Sequence, residues 1–245
     1  QDLQDFLYPL ESCDFMRCDH VVKNPYKATC LIGSASNAHI LTPFTKSELL
    51  EKLHAFYGDQ AQTPARTAPK TTTRPTKAII KQSVFNVLGT SIQNSSFIEV
   101  FGGSASMGLE ALSLGAHQAL FFEKDPLVFK VLQQNIQLCQ ARLNPCNAQS
   151  YLGDAFQLLP IHLANLAPQG LLILYFDPPF KPNLYPACWE LLENLNLTRA
   201  LEHGVLIILE HQSNEHMGTN PPKFSIIKQR KFGRTSLSYY ILKGK

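Results

Sequence analysis

From about residue 76 onward, the apolar positions of this chain alternate between two rhythms. Residues 77–88 place Ile79, Ile80, Val84, Val87 and Leu88 at helical spacing. Residues 97–101, Phe-Ile-Glu-Val-Phe, form a short apolar run ending at Gly102 and Gly103, which predicts a buried strand. Residues 107–114 read as a helix that stops at Gly115, and residues 119–122 as a second strand ending at Glu123. Pro126 opens a helix running to about Leu138, because proline is tolerated in the first helical turn. A third strand is predicted over 149–152, before Gly153 and Asp154, and a fourth over 171–176, before Asp177. Residues 185–195 are helical and 205–209 form a fifth strand. Two β-rich runs, 224–231 and 235–242, flank Gly233 and predict a hairpin.

Strands that alternate with helices imply an α/β fold with a parallel sheet, and the hairpin adds antiparallel pairing at one edge. Ligands of such sheets bind beyond the carboxyl ends of the strands. Four signals fall there in succession: Gly102-Gly103 after the first strand, Glu123 after the second, Asp154 after the third and Asp177 after the fourth.

The chain before residue 65 behaves differently. Residues 1–56 are weakly periodic, with one helix expected where Thr45-Lys46-Ser47-Glu48 precedes Leu49, Leu50, Leu53 and Phe56. Residues 58–76 are rich in Thr, Pro and Ala and read as a linker or a loop. The expected organisation is therefore an extension of unknown role over 1–65 and one domain over 66–245. Six cysteines, at 13, 18, 30, 139, 146 and 188, form no CxxC pair and are read as thiols. Cys13, Cys18 and Cys30 with His20 or His39 match no standard zinc spacing, so no metal is expected. No run approaches 18 apolar residues and no signal peptide is recognisable, so a cytoplasmic protein with no membrane span is expected.

The net charge of +3 says little, but its distribution says more. Residues 60–98 carry no acid yet include Arg66, Lys70, Arg74, Lys77 and Lys81. Residues 221–245 also lack acids and include Lys223, Lys228, Arg230, Lys231, Arg234, Lys243 and Lys245. Such segments can neutralise phosphates and steer a polyanion, although a solvated basic surface looks the same.

Each chemical signal has two readings. Gly102, Gly103 and Gly108 lie between a strand and a helix, where glycines let the backbone approach a ligand or simply turn tightly. Ala105 breaks a strict GxGxxG, and the lysine of a phosphate-binding loop is missing. Glu123, 20 residues after Gly103, can accept both ribose hydroxyls of an adenosine-containing ligand or be a surface acid. Asp154 can recognise the adenine amino group or cap a helix from residue 155 onward. Asp177-Pro178-Pro179-Phe180 is the most informative segment. It joins a carboxylate, a conformationally fixed carbonyl and an aromatic plane in one loop. Asp177 and the Pro178 carbonyl can hold an exocyclic amine by its N–H groups, and Phe180 can stack on an extruded base. A strand-terminating turn with a buried phenylalanine is the plainer alternative.

Taken together, Arg74-Pro75-Thr76, Phe85-Asn86-Val87-Leu88, EVFGGSASMGLEALSLGA, FFEKD, GDA, DPPF and the ending Lys228-Gln-Arg-Lys-Phe-Gly-Arg-Thr-Ser-Leu resemble the bacterial small-subunit rRNA guanine-N2 methyltransferases, the RsmD-like family. The resemblance covers about residues 72–243. It implies a Rossmann-like, seven-stranded methyltransferase fold with S-adenosylmethionine as donor and a guanine N2 of 16S rRNA, free or in the small ribosomal subunit, as acceptor. It assigns the donor to Glu99, Phe101, Gly102, Gly103, Ser104, Gly108, Glu123, Lys124, Asp154 and Ala155, and catalysis to Asp177, Pro178, Pro179 and Phe180. Arg66, Lys70, Arg74, Lys77, Lys231 and Arg234 are the expected RNA contacts, and a monomer is expected. Two positions depart from the family pattern: Glu99 stands where Asp is usual, and Ala105 where Gly is usual. The family's usual short basic N-terminal hairpin is not found in residues 1–65. Alternative acceptors are an adenine N6 or a protein glutamine amide. A non-catalytic RNA-binding assembly factor is the alternative from another class.

Overall fold

The computed structural model describes residues 75–143, 145–179, 181, 184–214 and 222–242. The helix expected over 45–56, the cysteines at 13, 18 and 30, and Arg66, Lys70, Arg74 and Phe180 lie outside them.

A helix α1 (Pro75–Leu88) leads through a short 3-10 turn (Gly89–Ile92) into strand β1 (Ser96–Glu99). There follow α2 (Ser106–Ser113), β2 (Gln118–Glu123), α3 (Pro126–Gln140), β3 (Ala148–Leu152), α4 (Ala155–Asn165), β4 (Leu172–Phe176) and α5 (Leu184–Asn194). A second 3-10 turn (Thr198–Ala200) precedes β5 (Val205–Gln212), β6 (Phe224–Phe232) and β7 (Thr235–Leu242). The seven strands form one sheet in the order β3-β2-β1-β4-β5-β7-β6. The first five pair in parallel, while β7 runs antiparallel between β5 and β6. This is the mixed, seven-stranded sheet that the resemblance implied. The hairpin's second strand lies inside the sheet and its first strand, β6, pairs with β7 alone.

All residues of β1 and β4 are buried; β4 reads as a continuous apolar run, while β1 buries Ser96 and Glu99 at its ends. Period-two alternation sends Phe97, Ile173, Tyr175, Leu206 and Ile208 to one face, against Ile80 and Val84 of α1, Leu109 of α2 and Leu132 of α3. Ile98, Leu174, Phe176, Ile207 and Leu209 face the other way, toward Leu159 of α4 and Cys188 and Leu192 of α5. Each such side chain, fully buried, contributes about 1.5–3 kcal/mol.

Two local features have physical reasons. The helix that Asp154 could cap is present as α4, although Pro160, a residue that weakens helices, lies inside it. The helix forms because Asp154 caps it and Leu159 and Leu163 are buried beneath it. Strand β5 runs three residues beyond the predicted 209, because its ladder with β7 continues to the Gln212–Thr235 pair.

Candidate active site

The same alternation governs the carboxyl edge of the sheet. Glu99 continues the Phe97 face of β1, Glu210 continues the Leu206 and Ile208 face of β5, and Asp177 follows Ile173 and Tyr175. Phe176 pairs with Leu209, so Asp177 and Glu210 come next to each other on neighbouring strands. Helix α1 covers this face, and Lys77 in its first turn reaches both carboxylates. The ammonium donates to Asp177 Oδ2 and, at 3.3 Å, to Glu210 Oε1. Tyr175 Oη donates to Glu210 Oε2 at 2.6 Å.

Burial and charge act together here. Glu210 is 1% exposed, and burial raises its pKa, with the Asp177 charge adding to the rise; Lys77 and Tyr175 act in the opposite direction. Burial alone would lower Lys77, but Asp177 and Glu210 outweigh it and the net shift is upward. Tyr175 is held well above the usual phenol range by burial and by the surrounding carboxylates. Burial also pushes Glu99 up to about 8, against the pull of the Gly108 and Met107 amides.

The glycine loop is adjacent in the sheet. Gly102 N–H donates to Phe122 O at 2.6 Å, and Ala105 N–H to Gly102 O at 2.7 Å, closing a tight turn. Gly103 has φ +48°, and a Cβ there would meet nothing within 4 Å, so open space lies beside the loop. A Cβ on Gly102 would meet Leu132 Cδ1 at 2.7 Å and Phe122 O at 3.0 Å. Asn135 Nδ2 donates to Ser104 O at 2.9 Å and ties the loop to α3. Glu123 is half-buried and accepts from Gly103 N–H at 3.0 Å and from Asp125 N–H at 2.9 Å. A carboxylate has about four lone-pair sites, so two remain for the hydroxyls of a ribose. Asp154 accepts from Phe156 N–H at 2.9 Å, so it is a helix cap. Open space at Gly103 beside an oriented carboxylate fits an adenosine-containing ligand.

Several residues expected at the donor also serve the scaffold. Gly108 is buried, and a Cβ on it would meet Phe121 Cε1 at 2.4 Å; it lets α2 lie close on the sheet. Its N–H donates to Glu99 Oε2 at 2.8 Å, so Glu99, buried beneath the loop, fixes the start of α2. The Phe101 ring packs edge-on against Phe156 and Phe176, with centroids 6.1 and 6.3 Å away. Ala155 is buried in the core at the start of α4. Lys77, expected on RNA phosphate, turns to Asp177 and Glu210, because two carboxylates on the face beneath it attract its ammonium. Lys124 is exposed, as are Lys231 and Arg234; Pro178 is buried and Pro179 exposed. Lys181 N–H donates to Pro179 O at 2.7 Å, turning the chain toward α5.

Sequence reasoning passed over Glu210 and Tyr175. The available signal was periodic: in Val205-Leu-Ile-Ile-Leu-Glu210, the acid shares the face of Leu206 and Ile208, inside an apolar run.

The family model described as "Conserved hypothetical protein 95" matches residues 58–241. The chain belongs to this family. Members of similar sequence include the "Ribosomal RNA small subunit methyltransferase D" of Haemophilus influenzae, 28% identical over 68% of this chain and 82% of that protein. The protein of the same name from Escherichia coli K12 is 28% identical over 68% of this chain and 78% of its own length. The solved "Putative methyltransferase yhhF from Escherichia coli" superposes with a TM-score of 0.55 and 27% identity, over 74% of this chain and 94% of that one. The chain thus has the fold of S-adenosylmethionine-dependent methyltransferases. Among its described residues, no helix is long and apolar enough to cross a membrane.

Proposed function

We propose that this chain is an S-adenosylmethionine-dependent methyltransferase acting on the exocyclic N2 amine of a guanine in 16S rRNA. The observation that carries the reading is the position of Asp177. Its carboxylate stands at the carboxyl end of β4, the strand next to β1 and its glycine loop. The similarity to proteins named ribosomal RNA small subunit methyltransferase D supports rRNA as the acceptor.

The donor supplies an electrophilic methyl group on a sulfonium. Gly102, Gly103 and Ser104 would border it, Glu123 would accept its ribose hydroxyls, and Asp154 and Lys124 would flank its base. An exocyclic amine is a weak nucleophile, because its lone pair is delocalised into the ring. Asp177 would accept a hydrogen bond from that amine and favour the positive charge that grows on nitrogen as the new N–C bond forms and the methyl–sulfur bond breaks, its electron pair leaving on the neutral thioether of S-adenosylhomocysteine. The carboxylate then takes the released proton and passes it to water. Pro178 and Pro179 fix the loop that presents Asp177, and Phe180 stacks on the base. No covalent enzyme intermediate is involved.

The RNA would approach along the same rim. Thr235 pairs with Gln212, two residues past Glu210, so the β6–β7 turn lies at the carboxyl edge of β5. Arg230, Lys231 and Arg234 cluster around that turn and are exposed. Burial and the nearby Arg230 charge lower Lys228 to about 8. A phosphate placed there relieves that repulsion. Arg66, Lys70 and Arg74, which lie outside the described residues, are further candidate phosphate contacts by sequence alone.

The test is transfer of labelled methyl from S-adenosylmethionine to small ribosomal subunits lacking their own guanine-N2 methylation. Label on one guanine, with Asp177→Ala reducing the rate by at least about a thousandfold, is the expected result. Label appearing only on adenine N6 or on a protein glutamine would replace the acceptor. Failure to bind S-adenosylhomocysteine would leave an RNA-binding assembly factor.

A further inference from the structure

Three acids from the ends of three adjacent strands share the α1 face: Glu99 on β1, Asp177 after β4 and Glu210 on β5. Among the described residues, the cation that touches two of them is Lys77 of α1. Glu210 is buried, so it does not meet substrate; its two oxygens accept from Lys77 and Tyr175. Desolvating a carboxylate costs several kcal/mol, and an apolar pair of the same volume would fill this space without that cost. The arrangement instead holds one ammonium against Asp177 Oδ2, which leaves Oδ1 for an incoming amine.

We propose that Lys77, anchored by Glu210, which Tyr175 holds in turn, is a positioning residue for methyl transfer: it orients the Asp177 carboxylate toward the incoming amine. This rests on the methyltransferase reading above. The groups that face Asp177 are Lys77 from α1, Glu99 from β1, Tyr175 from β4 and Glu210 from β5. Lys81, one turn further along α1, is engaged by Glu110 of α2 at 3.0 Å. Without Lys77, no donor among the described residues holds Asp177 Oδ2 in place, and the orientation of the carboxylate toward the amine is lost. A lysine that only contacts phosphate would have no such effect.

The experiment compares wild type, Lys77→Met and Lys77→Arg on small ribosomal subunits, with kcat and KM measured for each. The expected result is a kcat lowered by roughly 10–100-fold in Lys77→Met, with KM within about twofold. Lys77→Arg recovers most of the loss. A raised KM with unchanged kcat overturns the proposal and returns Lys77 to phosphate binding. A second measurement needs no activity: melting of wild type, Lys77→Met, Asp177→Asn and the double variant. Non-additive shifts support the coupling, and additive shifts overturn it. If wild type methylates no rRNA, the functional reading fails and the positioning role falls with it, while the melting cycle still reports whether Lys77 and Asp177 are coupled.

Discussion

At the scale of single residues, the site is built from side chains whose burial conflicts with their charge. Glu99 illustrates the consequence. Its proton is held to about 8 in the folded chain, against 4.5 without burial. A carboxyl group raised in this way contributes stability that is fully present below the unfolded value and is lost as pH rises through the folded one. The melting temperature of wild type is therefore expected to fall between about pH 5 and 9 more steeply than that of Glu99→Gln, and thermal melts across that range check it. Parallel curves would mean that Glu99 is ionised throughout. Gly108 gives a second residue-scale test. A Cβ at 2.4 Å from the Phe121 ring forces α2 off the sheet, so Gly108→Ala is expected to destabilise by about 1–3 kcal/mol in denaturant melts. Ala105 is buried and holds φ +64°, a conformation in which side chains other than glycine cost about 1–2 kcal/mol. Its methyl group belongs to the core around α2, which offsets part of that cost.

At the scale of elements, the β6–β7 hairpin owes the exposure of its basic residues to its position in the sheet. Strand β7 fills the slot beside β5, which leaves β6 with its basic residues as an outer strand next to α1. Arg230 donates to Ser83 of α1 at 3.0 Å and links the two elements. Lys231→Ser with Arg234→Ser is expected to weaken RNA binding and to lower the slope of log affinity against log salt by about 0.7–0.9 per contact removed. The rate at saturating RNA should stay unchanged. Anisotropy titrations at several salt concentrations give the slope; an unaltered slope would move the RNA to another face.

For the molecule as a whole, the donor site proposed above should couple to global stability, because the parts assigned to it come from several elements. Gly102 bonds to β2, Ser104 is tied to α3, and Glu123 spans the loop and the start of α3. S-adenosylhomocysteine at about 100 times its Kd is expected to add about 2.7 kcal/mol. For a domain of this size that raises the Tm by roughly 5–11 °C. Asp177→Ala should keep the shift, since Asp177 acts on the acceptor side. A thermal-shift assay reads both, and loss of the shift in that variant would place Asp177 on the donor instead.

Much of this was readable from the chain alone. The alternation of strands and helices fixed an α/β fold, and the strand ends put Gly102, Glu123, Asp154 and Asp177 on one edge, because period and punctuation are local properties. The loop of Asp177 could be located without knowing what surrounds it. The order of strands could not be read from periodicity, since pairing depends on crossovers and not on any one segment. Nor could the roles of Lys77, Tyr175 and Glu210. Lys77 lies 100 residues from Asp177 and 133 from Glu210, and looked like one more basic residue near a linker. Only packing α1 across the carboxyl ends of β4 and β5 brings that ammonium to the two acids. Gly108 likewise looked like a ligand glycine until the sheet placed Phe121 beneath it.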